Sequence, residues 1–141
     1  MSSVIGNLPV DEPTLKLVQT GLWQAVNGEH GTGRRIWMKD IQISGKTGTS
    51  QVVSRKKDDE QLPEDQMPAH LRPHAWFVAY APSEAPRIAV AVVVEHGEHG
   101  SGAAAPIAKE VIKTYLRSNQ SGSKLLARKG ILEGQTKGRG H

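Results

Sequence analysis

The chain has 141 residues, a formal net charge of +4, no cysteine, 37% hydrophobic residues and a mean hydropathy of -0.44, the profile of one soluble globular domain. The lack of cysteine excludes disulfides, thiolate nucleophiles and cysteine zinc sites, while no apolar run is long enough to span a bilayer and Met1-Ser2-Ser3-Val4 does not read as a secretory leader. The basic excess lies entirely in residues 118–141, where Lys124, Arg128, Lys129, Lys137 and Arg139 are opposed by Glu133 alone, so it indicates a solvated, disordered tail and not a nucleic-acid-binding face.

Residues 1–10 are polar and irregular. Asp11-Glu12-Pro13 opens a helix, with an acidic cap and a proline in the first turn. Leu15, Val18, Leu22 and Val26 recur at helical spacing, and Asn27-Gly28 ends the run, a glycine there being able to take the left-handed conformation that a helix end often needs. Gly31-Thr32-Gly33 reads as a flexible joint leading to Arg34-Arg35. A strand is expected from Ile41 to Val53. The charged stretch 54–73 has no apolar period and reads as a long functional loop.

Ala75 to Tyr80 reads as a second strand, and Pro82-Ser83-Glu84-Ala85-Pro86 as a hairpin connection. Ile88 to Val94 is nearly all apolar, so a strand covered on both faces is expected. After the glycine-rich stretch 95–102, Ala104, Ile107, Ala108, Val111, Ile112 and Tyr115 mark a helix, with Lys113 and Arg117 in its last turn. Strands joined by a short loop pair antiparallel. The expected fold is a mixed α/β (α+β) architecture, an antiparallel sheet of about three strands flanked by helices.

The segment Ile43-Ser44-Gly45-Lys46-Thr47-Gly48-Thr49-Ser50 carries the chemistry. Strand alternation places Thr47 and Thr49 on one side and Lys46 with Gly48 on the other. On an edge strand, two hydroxyls, a fixed positive charge and free backbone amides would receive a carboxylate and a carbonyl. An amide near Thr49 could steady an oxyanion, and the loss of such a donor typically costs roughly 3–4 kcal/mol of transition-state binding. A Lys-Thr-Gly triplet is one of three motifs that build serine acyl-transferase sites of the β-lactamase and penicillin-binding kind.

In that context the chain resembles the C-terminal part of the transpeptidase domain of class B penicillin-binding proteins, of the penicillin-binding protein 2 kind. The resemblance rests on Gly31-Thr32-Gly33 with Arg34-Arg35, on Ile43 to Val53, on His74 to Pro82, on Ile88 to Gly97, and on the last helix to Leu116. It implies a partial penicillin-binding transpeptidase fold, related to serine β-lactamases, over residues 1–117, with the basic tail from 118 to 141 outside it. It also implies a periplasmic D,D-transpeptidase as the parent, one that cross-links peptidoglycan stem peptides and is acylated by β-lactams. By the same resemblance, Lys46 lines the active site, Thr47, Gly48 and Thr49 bind the substrate carboxylate, and the Thr49 amide is half of the oxyanion hole. No cofactor or metal is implied. The remainder of the domain is the implied partner.

The family's nucleophile motif, Ser-x-x-Lys, and its Ser-x-Asn motif are expected upstream of Lys46, and neither stands there. The literal matches Ser54 to Lys57 and Ser121 to Lys124 fall in the charged loop and in the tail, away from any helix start. The chain by itself is therefore expected to be inert, and its strand Ile88 to Val94 to show an unpaired edge or an uncovered face. The competing class is a non-catalytic module that holds a peptide carboxylate. A phosphate-binding loop ending in Gly45-Lys46-Thr47 fails because Asp40 stands where it needs glycine. His96 and His99 sit in what reads as a flexible glycine-rich turn, and Pro73 separates His70 from His74, so neither pair reads as a metal site. Trp23, Trp37 and Trp76 lack the basic interleaving of a nucleic-acid platform.

Overall fold

The computed structural model describes residues 6–52 and 67–118. Helix α1 spans Glu12–Asn27. A single 3-10 turn at Arg34–Ile36 leads to strand β1, Ser44–Ser50. A second 3-10 turn, Ala69–Leu71, precedes β2, His74–Ala81, and a short connection leads to β3, Ile88–Val94. Helix α2 covers residues 104–118. The strands form one antiparallel sheet in the order β1-β2-β3. The three-stranded sheet with helices is thus the expected α+β fold. The tail from 119 onward, the end of the expected first strand at Val53, residues 54–66 of the loop, and both literal Ser-x-x-Lys matches lie outside the described residues.

The core forms where α2 meets the inner face of the sheet. Ala75, Phe77, Ala79 and Ala81 of β2 and Ala104, Ala105, Ala108, Ile112 and Leu116 of α2 share one buried cluster with Val26, Ile36 and Ile43. Small side chains on both elements let the helix lie close to the strands. Phe77 supplies the bulk. Its ring sits against Gly45 and Gly33: a β-carbon at either would stand 2.9 Å or 3.3 Å from it.

Four expectations are corrected. Strand β1 is shorter than Ile41 to Val53, since Ile41 and Ile43 precede the ladder and pack into the cluster instead. Strand β3 is covered on one face only. Its residues alternate half-buried and exposed, because Ile88, Val90, Val92 and Val94 face the core while Ala89, Ala91 and Val93 do not, and among the described residues it has no strand neighbour beyond β2. That bare face and free edge are what the resemblance led us to expect. In α2, Ile107, Val111 and Tyr115 are exposed, and the alanines take the core positions. Gly28 is extended (φ -67, ψ 153) and not left-handed; a β-carbon there would approach the Gln24 carbonyl to 2.6 Å, so close approach explains it.

The α1 start matches the sequence reading. Asp11 caps it by accepting the Thr14 amide at 2.8 Å. Hydrogen bonds from the Thr14 side chain, then from its backbone, hold the Asp11 carboxyl below its ordinary value of 3.8. A carboxyl lowered in the folded state stabilises it fully above that ordinary value, and the contribution is lost as pH falls through the lowered one. Asp11→Ala should therefore speed hydrogen exchange at the Thr14 amide at neutral pH, and its difference from wild type should close in strong acid. Phe77→Ala, which empties the site beside Gly45 and Gly33, should lower stability by about 3–5 kcal/mol in urea unfolding.

Candidate functional site

Strand β1 lies at the edge of the sheet, so one of its sides pairs with β2 and the other has no strand beside it among the described residues. Strand parity decides which peptide groups face the open side. The Gln42 carbonyl accepts from the Ser83 amide on the β2 side. The Ile43 carbonyl accepts from the Asn27 side chain on the opposite side, at 2.8 Å. Alternation then turns the N–H and C=O groups of Gly45, Thr47 and Thr49 away from β2. The Thr47 carbonyl fits this pattern, since it accepts from the Lys46 ammonium at 2.8 Å.

The side chains follow the expected alternation. Lys46 and Gly48 lie opposite Val78 and Trp76 on the outer face, while Thr47 and Thr49 lie opposite Phe77 and Ala75. Lys46 and Thr49 are exposed, and Thr47 and Gly48 half-buried. The lysine stem starts on the outer face, and its ammonium curls round to the open edge, 3.5 Å from the Thr47 hydroxyl. All four candidate residues thus lie along one margin. The geometry brings together a positive charge, hydroxyls and outward amides, a set of donors suited to an anionic group with a carbonyl beside it.

Gly48 has a local reason. A β-carbon there would come 3.2 Å from that of Trp76. The Trp76 indole spans the same face to donate to the Ser50 hydroxyl at 2.8 Å. From the inner side Gly100 presses on the ladder, where a β-carbon would meet the Trp76 carbonyl at 2.3 Å and the Gly48 carbonyl at 2.8 Å.

Two surroundings of the margin were not read from the sequence. A groove of about 530 Å³ runs beside it, lined by Trp23, Gln24, Gly28, His30, Thr32 and Lys46 among others. At its margin the Thr47 hydroxyl donates to the hydroxyl of Thr32, one of the lining residues, at 3.0 Å. The Gly31-Thr32-Gly33 segment is not the flexible joint expected. The Gly31 amide donates to the Gly28 carbonyl, the Gly33 amide to the Ala25 carbonyl, and the Arg34 amide to the Gly31 carbonyl. The signal available in the sequence was the pair of glycines around one hydroxyl residue.

The second surrounding is the turn at 95–100, expected to be flexible. It is pinned to the segment before β2. The His96 amide donates to His74 Nδ1 at 3.0 Å, and His96 Nδ1 meets the Arg72 carbonyl at 3.0 Å. The Arg72 guanidinium pairs with Glu98 at 2.8 Å, and the Glu98 amide donates to the Pro73 carbonyl. These bonds hold His96 and Glu98 at positive φ, 55° and 62°, an uncommon conformation for residues with a β-carbon. Among the described residues, no group of three or more histidine, aspartate and glutamate side chains could hold a metal ion.

Among the described residues, no serine hydroxyl is hydrogen-bonded to a lysine amine. Ser44 is bonded to Ser83, Ser50 to the Trp76 indole and Ser118 to the Tyr115 carbonyl, and none of the three has a lysine amine as its partner. The outer face next to Lys46 is instead apolar and bare, with Trp76 39%, Val78 44% and Val93 44% exposed. Among the described residues, no helix is long and apolar enough to cross a membrane.

A sequence model of the family described as "Penicillin binding protein transpeptidase domain" matches residues 2–113. The chain is 39% identical over 97 residues to the peptidoglycan D,D-transpeptidase MrdA of Haemophilus influenzae, covering 68% of this chain and 15% of that protein. It is similar to the crystal structure of Pseudomonas aeruginosa PBP2 in complex with WCK 5153, with a TM-score of 0.62 and 38% identity over 79% of this chain and 22% of that one. It is also similar to penicillin-binding protein A from Mycobacterium tuberculosis as its penicillin G acyl-enzyme complex, with a TM-score of 0.53 and 30% identity over 82% of this chain and 24% of that one. The chain therefore spans about a seventh of the curated relative.

Because Gly100 is wedged against the ladder at Gly48, Gly100→Ala should force the turn away from β1. Faster amide exchange at Gly48 and Trp76, with α1 amides unaffected, is the expected result.

Proposed function

This chain belongs to the penicillin-binding protein transpeptidase family, in its class B, PBP2-type branch, and we propose that it forms the substrate-receiving wall of a D,D-transpeptidase site whose nucleophile is supplied by another part of the domain. The observation that carries this reading is the open margin of β1, where Lys46, the Thr47 hydroxyl and the outward amide of Thr49 lie together beside a groove. A substrate carboxylate would be received by Thr47, Thr49 and the positive charge of Lys46, with the Gly48 backbone letting it approach closely. The scissile carbonyl would place its developing negative charge on the Thr49 amide. One such donor is typically worth 10²–10³ in rate in acyl-transfer enzymes.

The substrate class is the peptidoglycan stem peptide, with β-lactams as acylating mimics, and the place of action is the periplasmic side of the inner membrane. The domain portion is residues 1–117, and the basic stretch from 118 onward lies outside it. The bare outer face supports a partner of a particular kind. Trp76, Val78 and Val93 beside Lys46 form half of an apolar contact, and the remainder of the transpeptidase domain would cover it and bring an activated serine towards the lysine.

By itself the chain is inert in this reading. Incubated with a fluorescent penicillin it should give no covalent adduct, whereas co-expression with the Ser-x-x-Lys-bearing part of a PBP2-type domain should restore labelling. Stoichiometric labelling of the chain alone would refute the proposal. Reversible binding of peptide carboxylates, with no labelling in either case, would favour a non-catalytic binding module, the reading left by a positive margin whose serines, among the described residues, have no lysine partner.

A further inference from the structure

We infer that Thr32 is a positioning residue for carboxylate recognition, holding the Thr47 hydroxyl at the margin of the groove and passing it a hydrogen bond when a carboxylate arrives. The inference rests on the proposed receiving role of β1, and adds to it a residue from outside that strand. Thr32 and Thr47 are fifteen positions apart, and their hydroxyl oxygens stand 3.0 Å from each other.

The turn that presents Thr32 is built to hold one side chain in place. Gly31 fits only because it lacks a β-carbon, which would stand 2.4 Å from the Ala25 carbonyl. At Gly33 a β-carbon would meet the Ala25 carbonyl and Val26 at 3.2 Å each. The Gly33 amide is bonded to the Ala25 carbonyl at 2.8 Å, and the Arg34 guanidinium reaches back to the Asn27 and Gly28 carbonyls. The end of α1 is in turn tied to the residues that lead into β1, through Asn27 to the Ile43 carbonyl and through Trp23 to the Gln42 side chain at 2.8 Å. Thr32 is therefore fixed relative to β1 by a continuous set of bonds.

Donor arithmetic gives the pair its role. A threonine hydroxyl has one hydrogen to donate and can accept two bonds. Without a ligand, the Thr47 hydrogen goes to Thr32, and the Thr47 oxygen has the Lys46 ammonium 3.5 Å away. A carboxylate accepts only, so it needs that hydrogen. When it binds, both hydroxyls rotate: Thr32 donates to Thr47, and Thr47 donates to the carboxylate. No proton leaves either residue. A chain of two hydroxyls also polarises the terminal donor. Valine at position 32 would keep the shape and remove the relay, while serine would keep the relay.

The test uses the full chain with Thr32→Val and Thr32→Ser. In the first arm, side-chain coupling constants at Thr47 report its rotamer by NMR without any ligand. A single rotamer is expected in wild type and in Thr32→Ser, and averaging in Thr32→Val; an unchanged rotamer in the valine variant overturns the positioning role. In the second arm, N-acetyl-D-alanyl-D-alanine and its C-terminal amide are titrated while the Thr47 and Thr49 amides are followed. Thr32→Val should weaken binding of the acid about fivefold, the scale of one hydrogen bond between neutral groups, and leave the amide unaffected, with Thr32→Ser within about twofold of wild type. Equal weakening of acid and amide would overturn the carboxylate relay. If wild type binds neither peptide while the rotamer result holds, the receiving role of β1 fails, and the relay with it, although Thr32 still orients Thr47.

Discussion

The hydrogen bond from Asn27 to the Ile43 carbonyl is the constraint on which the site depends. An edge strand offers a row of unsatisfied peptide groups along its whole length, and left bare it pairs with whatever strand it meets. Here a side chain at the end of α1 closes the row at Ile43 and also donates to the Trp23 carbonyl of its own helix. The margin is thus shut where β1 begins and open from Gly45 to Thr49. The same bond fixes how far α1 stands from β1, and hence the width of the groove between them.

From that constraint the two faces of the sheet take different work. The inner face is finished within the chain, because the alanines of β2 and α2 meet closely and Phe77 fills the remaining space under Gly45. The outer face is unfinished. Burying Trp76, Val78 and Val93 completely would contribute on the order of 1.5–3 kcal/mol for each side chain taken from full exposure, somewhat less from their present state. This is a sizeable share of the stability of a small domain. A chain with one complete core and one waiting surface fits its likeness to the PBP2 structure, of whose chain it covers 22%.

Much of this was legible in the sequence, and the rest was not for specific reasons. Asp11-Glu12-Pro13 signals a helix start through local chemistry, and Lys46 to Thr49 declares its sidedness by parity, so both were read correctly. Strand β3 was misjudged because an all-apolar run does not say whether its second face is covered by this chain or by another. Ile107, Val111 and Tyr115 look like core by size and spacing, but a close helix–sheet contact selects alanine over bulk. Gly31-Thr32-Gly33 looked loose because glycine is read as freedom. Here it marks crowding, which appears only once Ala25 is known to lie beneath it. The pairing of His74 with His96 joins residues twenty-two positions apart and had no local signature.

The parity of β1 carries a consequence for how such a segment can vary. Adding one residue between Ile43 and Lys46 would swap every assignment after it at once: the Thr49 amide would turn into the ladder, and the lysine would stand opposite Phe77. Exchanging one amino acid for another perturbs a single position, whereas a change in length scrambles the entire binding margin. Length should therefore be far less tolerant of variation here than identity, and insertions compatible with the fold belong in the neighbouring loops.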